Sequence, residues 1–226
     1  MDNVALKPFN LQRKDGKIVE VELYNFSNIN DVQILDIKNL KFEGTPAKDI
    51  KKSDIHNAVL KDKNKLYFQN KYSKMVAGLS KKHLNKIIST VFTRDIESRH
   101  AYLKKELISN VNLIFYAAVP ILKHAELKKQ ALFEAQIIHR FALPIKIGGL
   151  IFFAMITVKE RIDNKELQID EFSIYDLYSE AIHNKKSSGS SSTVSSRTFR
   201  SHYQMTNYSI YDLFEFVKCS ITKKQQ

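Results

Sequence analysis

In IIHRFALPIKIGGLIFFAMITVKE, from Ile137 to Glu160, the apolar residues switch from a helical spacing to strict alternation, and this stretch decides the fold. Gly148-Gly149 separates two alternating runs, the signature of a β-hairpin closed by a two-residue turn. If Ile147 opposes Leu150, the register follows: Arg140 opposes Thr157, Ile138 opposes Lys159 and His139 opposes Val158. One face then holds His139, Phe141, Leu143, Ile145, Phe152, Ala154, Ile156 and Val158 and is expected to pack on helices. The other holds Arg140, Lys146, Thr157 and Lys159 among Ile151, Phe153 and Met155, and is expected to lie open or only partly covered.

Upstream, the helical period dominates. In SKKHLNKIISTVF, Leu84, Ile87, Ile88 and Val91 recur at the spacing of one buried helical face, with Ser80 suited to the N-cap. Lys82, Lys86 and Ser89 fall together on the opposite side. The wider stretch from Lys71 to Arg94 carries six Lys/Arg, one His and no acidic residue. Two readings of that helix compete, a solvated basic face and a surface that meets phosphate. A second helical run follows with Leu103, Leu107, Val111 and Ile114 as its stripe, limited by Pro120, and a further short helix is expected from His124 to Glu134. Downstream of the hairpin, LQIDEFSIYDLY, Leu167 to Tyr178, predicts a third strand.

The flanks differ in character. Residues 1–54 read as a partly irregular N-terminal extension with short alternations in IVEVELY and DVQILDI that suit edge strands or lead-in segments. KDIKKSDIHNAVL suggests a short helix, and Leu66 to Tyr72 a strand. Residues 55–183 form the expected α+β domain, 184–206 a Ser-rich linker around SSGSSSTVSS, and 207–226 a C-terminal docking segment with Ile210, Leu213, Phe214 and Val217 as a helical stripe capped by Ser209. The letters SIYDL occur at 173–177 and again at 209–213, too few copies for a repeat architecture.

A length of 226 residues allows one good core with appendages, and 14 Phe with 10 Tyr argue for a folded chain. The net charge of +12 points to a polyanionic partner, with nucleic acid ahead of an anionic membrane because no apolar run approaches a spanning length. The N-terminus lacks a signal-peptide core, and the single Cys219 excludes an internal disulfide, so synthesis in a reducing cytoplasm is expected. No metal or other cofactor is expected: the seven histidines are scattered, and no Walker loop, dinucleotide fingerprint or G-x-S-x-G elbow occurs.

What remains is a chemistry of cations, hydroxyls and an imidazole. RNA carries its own nucleophile, the 2′-hydroxyl, so it can be cleaved without metal by orienting that group, balancing phosphorane charge and protonating the leaving oxygen. Arg140, Thr157 and Lys159 on one sheet face, with Lys86 and Ser89 from the basic helix, suit that task. Each also has a plain structural explanation: Arg140 and Thr157 as a cross-strand pair, His139 as a core histidine with one hydrogen bond. Alternation puts His139 and Arg140 on opposite faces, so they share a site only if a bulge intervenes.

The order of these motifs, LSKKHLNKIIS, then the hairpin, a strand, a Ser-rich gap and YSIYDLFEFVK, resembles the phage-associated branch of the barnase, EndoU, colicin and RelE-like nuclease superfamily over roughly residues 55–219. The resemblance implies an α+β fold with N-terminal helices packed on an antiparallel β-meander, metal-independent RNA cleavage and a toxin-like role. Lys86 and Ser89, His139 and Arg140, and Thr157 and Lys159 match the family's polar motif positions. On that basis His139, Arg140, Thr157 and Lys159 are the expected catalytic residues, with His139 in proton transfer, and Lys82, Lys86 and Ser89 the expected RNA-binding residues. The expected partners are RNA, transfer RNA among the candidates, and an immunity or antitoxin protein, with no membrane and with delivery into another cell compatible with the family. The alternative is a catalytically silent RNA-binding or mobile-element-associated module of the same fold.

Overall fold

The computed structural model describes residues 6–12, 18–24, 31–92, 99–125, 136–161, 165–176 and 207–209. Along them run β1 (Leu6–Gln12), β2 (Ile18–Tyr24), β3 (Asp31–Gln33), β4 (Leu35–Ile37), α1 (Lys52–Leu60), β5 (Lys65–Gln69), β6 (Val76–Ser80) and α2 (Lys81–Phe92). Then come α3 (Arg99–Ser109), α4 (Val111–Ala117), β7 (Val119–Ala125), β8 (Gln136–Ile147), β9 (Leu150–Arg161), β10 (Leu167–Asp176) and β11 (Asn207–Ser209). The fold is mixed α+β, with four α-helices and a large, mostly antiparallel sheet among the described residues. The helices lie between strands in the chain, not ahead of them.

Nine strands make the main sheet, in the order β1-β2-β7-β8-β9-β10-β6-β5, with β4 added alongside β8. Two pairings are parallel, β10 with β6 and β4 with β8. The central hairpin has the predicted register, Ile147 opposite Leu150, Arg140 opposite Thr157 and His139 opposite Val158. Its turn needs positive φ at both residues, and Gly148 and Gly149 supply +56° and +79°. Pro144 is tolerated within β8 because it falls in the gap between two neighbours: β7 pairs as far as Ala142, and β4 begins at Ile145.

Both faces of this hairpin are buried at its centre. Phe141, Phe152 and Ile156 are inaccessible on one side, and α4 meets it through Phe115, whose ring stands edge-on to Phe141 at 5.2 Å. The other side is partly covered, within the expected range: Phe153 and Met155 are each 1% exposed, while Lys146 is exposed and Arg140 and Lys159 are half-buried. LIFFAMITV is therefore a strand covered on both faces, and its unbroken apolar run, more than its alternation, carried that information.

The N-terminal third is less peripheral than its composition suggests. β2 pairs with β7 and β4 with β8, so strands from the first 54 residues extend the same sheet. Of the helix expected from His124 to Glu134, His124 and Ala125 end strand β7, which has a bulge between Pro120 and Leu122, and residues 126–134 lie outside the described residues. The run expected as one long helix is divided at Asn110, where Ser109 Oγ and Asn110 Nδ2 donate to the carbonyls of Lys105 and Glu106 at 2.8 and 2.9 Å and compete with helix continuation. Ser209, expected to cap a helix, closes strand β11, which pairs with β3 in a second small sheet. The Ser-rich linker and the stripe from Ile210 to Val217 lie outside the described residues.

Candidate functional site

α2 leaves the end of β6 with no intervening loop, because Ser80 ends the strand and its Oγ accepts a hydrogen bond from the His83 N–H at 3.4 Å. Three residues of the predicted stripe are buried: Leu84 and Ile88 are inaccessible and Ile87 nearly so. Lys82, Lys86 and Ser89 are exposed on the opposite side, as the helical period requires. Ser89 Oγ donates to the Lys86 carbonyl at 2.8 Å, which ties this hydroxyl to its own helix.

Beside α2 lies β10, parallel to β6 with Gln168 opposite Gly78. Its register with β9 shifts between Ile169 and Glu171, so Asp170 occupies a bulge. The bulge brings the Asp170 carboxylate to three cationic or titratable groups from two elements. Lys86 Nζ donates to its Oδ2 at 2.8 Å, Lys159 Nζ from β9 lies 3.6 Å from the same oxygen, and His83 Nε2 lies 3.7 Å from Oδ1. The other ring nitrogen of His83 is fixed: Nδ1 is 2.8 Å from Ser80 Oγ and 2.9 Å from the side-chain amide nitrogen of Gln168. With Nδ1 accepting from the Gln168 amide, the neutral ring carries its proton on Nε2, which lies beyond hydrogen-bond distance of Asp170.

The electrostatics follow from burial and charge. The Asp170 side chain is 11% exposed, and burial alone would raise its pKa. The Lys86 hydrogen bond and the charges of Lys159, Lys86 and His83 outweigh that and bring it below the usual carboxylate value. Burial lowers the pKa of His83, with Asp170 opposing, so the ring is neutral at neutral pH. The Lys86 side chain is 52% exposed and the Lys159 side chain 27%, so both ammonium groups reach solvent.

The other predicted residues are distributed over two further places. Arg140 and Thr157 form the cross-strand pair expected of them, with Arg140 Nη1 hydrogen-bonded to Thr157 Oγ1 and 3.6 Å from Glu171 Oε2. They share a sheet face with Lys159, two residues along β9. His139 is elsewhere: it points to the opposite face, and β8 and β9 pair without interruption past it, so no bulge brings it to Arg140. Its side chain is 3% exposed, with the Tyr24 hydroxyl 2.5 Å from Nδ1 and Glu160 Oε2 2.9 Å from Nε2. Burial lowers its pKa, opposed by Glu160. This geometry is that of a satisfied structural histidine joining β2 to β8 and β9.

The structure therefore brings Lys86 and Lys159 together and leaves His139 apart. His83, Asp170 and Gln168 were not singled out from the sequence, and Ser80 only as the N-cap, not as a partner of the His83 ring. His83 precedes Lys86 by three residues, one helical turn, which was a usable signal; the bulge that presents Asp170 had none. Among the described residues, no three His, Cys, Asp or Glu side chains gather as metal ligands, and no helix is long and apolar enough to cross a membrane. No family model, curated protein or solved structure matches the chain.

Proposed function

We propose that this chain is a metal-independent endoribonuclease of the barnase, EndoU, colicin and RelE-like type, with its phosphate site at the junction of α2, β9 and β10. The observation that carries the reading is the convergence of Lys86, Lys159 and His83 on Asp170, from elements distant in sequence, at a surface the lysines leave open to solvent. A net charge of +12 draws polyanions toward it. In this mechanism the RNA 2′-oxygen attacks the adjacent phosphorus, the bond to the 5′-oxygen breaks, and a 2′,3′-cyclic phosphate forms. The 2′-hydroxyl proton passes to solvent water, and the departing 5′-oxygen takes one from it. The His83 Nε2–H, set by Gln168 donating to Nδ1, donates a hydrogen bond to the phosphoryl oxygens. The ammonium groups of Lys86 and Lys159 balance the phosphorane charge, and Asp170 holds them in place.

The test is cleavage of RNA by the purified chain in EDTA, with end-group analysis. Loss of cleavage in His83→Ala and Lys159→Ala, with cyclic phosphate ends for the wild type and activity retained in a folded His139→Gln, supports the mechanism. Full activity in His83→Ala overturns it. One observation favours a second reading, RNA binding without cleavage: Asp170 already neutralises part of the charge that a phosphorane would need. Salt-sensitive RNA binding with no cleavage under any condition decides for that reading.

A further inference from the structure

One cross-sheet row lies next to this site. Tyr67 on β5 pairs with Gly78 on β6, Gly78 with Gln168 on β10, and Gln168 with Lys159 on β9. Residues directly opposite one another share a face, so an aromatic ring, a position without a side chain, an amide and a lysine stand in line. With strands about 4.8 Å apart, the row runs roughly 14 Å from Tyr67 to Lys159. Two of its members belong to the site: Lys159 faces Asp170, and Gln168 reaches His83 and Ser80.

Tyr67 is 60% exposed, although the same sheet buries most of its other aromatic rings. Lys65 lies on the same face two residues earlier, with its Nζ 4.9 Å from the Tyr67 ring centroid and ion-paired to Glu166. Gly78 makes this arrangement possible, because a Cβ there would meet the Lys65 Cε at 2.4 Å and the Tyr67 ring at 3.3 Å. The result is a ring 60% exposed with the Lys65 ammonium over one face, separated by the Gly78 position from the polar residues that lead to the lysines.

We propose that Tyr67 is a stacking platform for an unpaired base of single-stranded RNA whose phosphate backbone continues to Lys86 and Lys159. The inference rests on the RNA-binding reading above and adds the form of the substrate. Stacking on a ring needs a base with its face free, which a duplex does not offer, whereas a single strand presents both bases and phosphates. Glu166 keeps Lys65 beside the ring, so the platform is held in place before substrate arrives.

The test compares binding of a short single-stranded RNA, the same sequence as a duplex, and inorganic polyphosphate. Wild type is expected to prefer the single strand over the duplex. Tyr67→Ala should weaken single-strand binding by about 5- to 150-fold, the range for loss of one stacked base. It should leave polyphosphate binding unchanged, and Tyr67→Phe should keep wild-type affinity. Lys82→Ala with Lys86→Ala should weaken both ligands, which tests the phosphate site separately. Unchanged RNA affinity in Tyr67→Ala, or equal loss for RNA and polyphosphate, overturns the platform while leaving the phosphate site standing. A wild type that binds no RNA removes both.

Discussion

Lys86 Nζ and Asp170 Oδ2 stand 2.8 Å apart across 84 positions of chain, and this ion pair ties the exposed side of α2 to the bulge of β10. Because the lysine is half exposed, the pair contributes modestly to stability, about 1 kcal/mol. Asp170→Asn should cost that much in urea denaturation at neutral pH. The carboxyl has its pKa held down in the folded state, so its contribution is present above the unfolded value near pH 4 and is lost as pH falls through the lower folded value. The gap between wild type and Asp170→Asn should therefore close in strong acid. The same variant removes a negative charge from beside two ammonium groups and should bind RNA more tightly.

His139 acts in the same direction, in a higher pH window. Burial lowers its pKa, so the unfolded chain takes up a proton before the folded chain does. Stability should fall as pH drops through the unfolded histidine value, about 6.5, toward the lower folded one. His139→Gln should flatten that part of the pH profile in thermal or urea unfolding. An unchanged slope would mean that the ring takes its proton while still bonded to Tyr24 and Glu160.

The covering of both hairpin faces has a mutational signature. Phe152→Ala and Phe153→Ala remove adjacent rings that point to opposite sides and are 0% and 1% exposed. Each should cost about 3 kcal/mol or more through the cavity left behind. A large loss for Phe152→Ala with a near-neutral Phe153→Ala would show that the second face is open in solution.

For the basic helix, the salt dependence of RNA binding is the measurement. Removing Lys82 and Lys86 together should reduce the slope of log affinity against log salt by about 0.7 for each phosphate that the two lysines neutralise on a single strand. An unchanged slope would assign them to a solvated face.

What the sequence revealed and what it hid have physical causes. The Gly-Gly turn and the alternation around it pinned the hairpin register, because a one-residue slip would invert every side chain. The buried stripe of α2 was equally readable from its 3.6-residue period. The extent of cover on the second face was not, since period alone does not separate a half-buried strand from one covered on both sides. Asn70 shows a further limit: fully buried, it donates to the carbonyls of Phe115 and Ala118, both at 2.6 Å, and accepts the N–H groups of Tyr72 and Ser73. Nothing in NKYS distinguishes such a staple from an ordinary turn asparagine. At the site, Lys86 and Lys159 were legible because exposed lysines on periodic elements can be placed from spacing. Asp170 was hidden because a bulge between distant strands leaves no local mark, and His139 was misleading because a buried imidazole and a reactive one are the same letter.

The parallel bridge between β6 and β10 also sets an order of events. Gln168 and His83 touch although 85 positions separate them, and the loop between them contains α3, α4 and the central hairpin. Closing so long a loop carries an entropic cost that is recovered only after the intervening elements have packed. A ribosome-bound chain that has exposed α2 but not yet β10 has the lysines and the imidazole without the carboxylate that gathers them. On the proposed reading, the nascent chain would then be inert toward the ribosomal RNA beside it, and activity would begin only after β10 is made and docked.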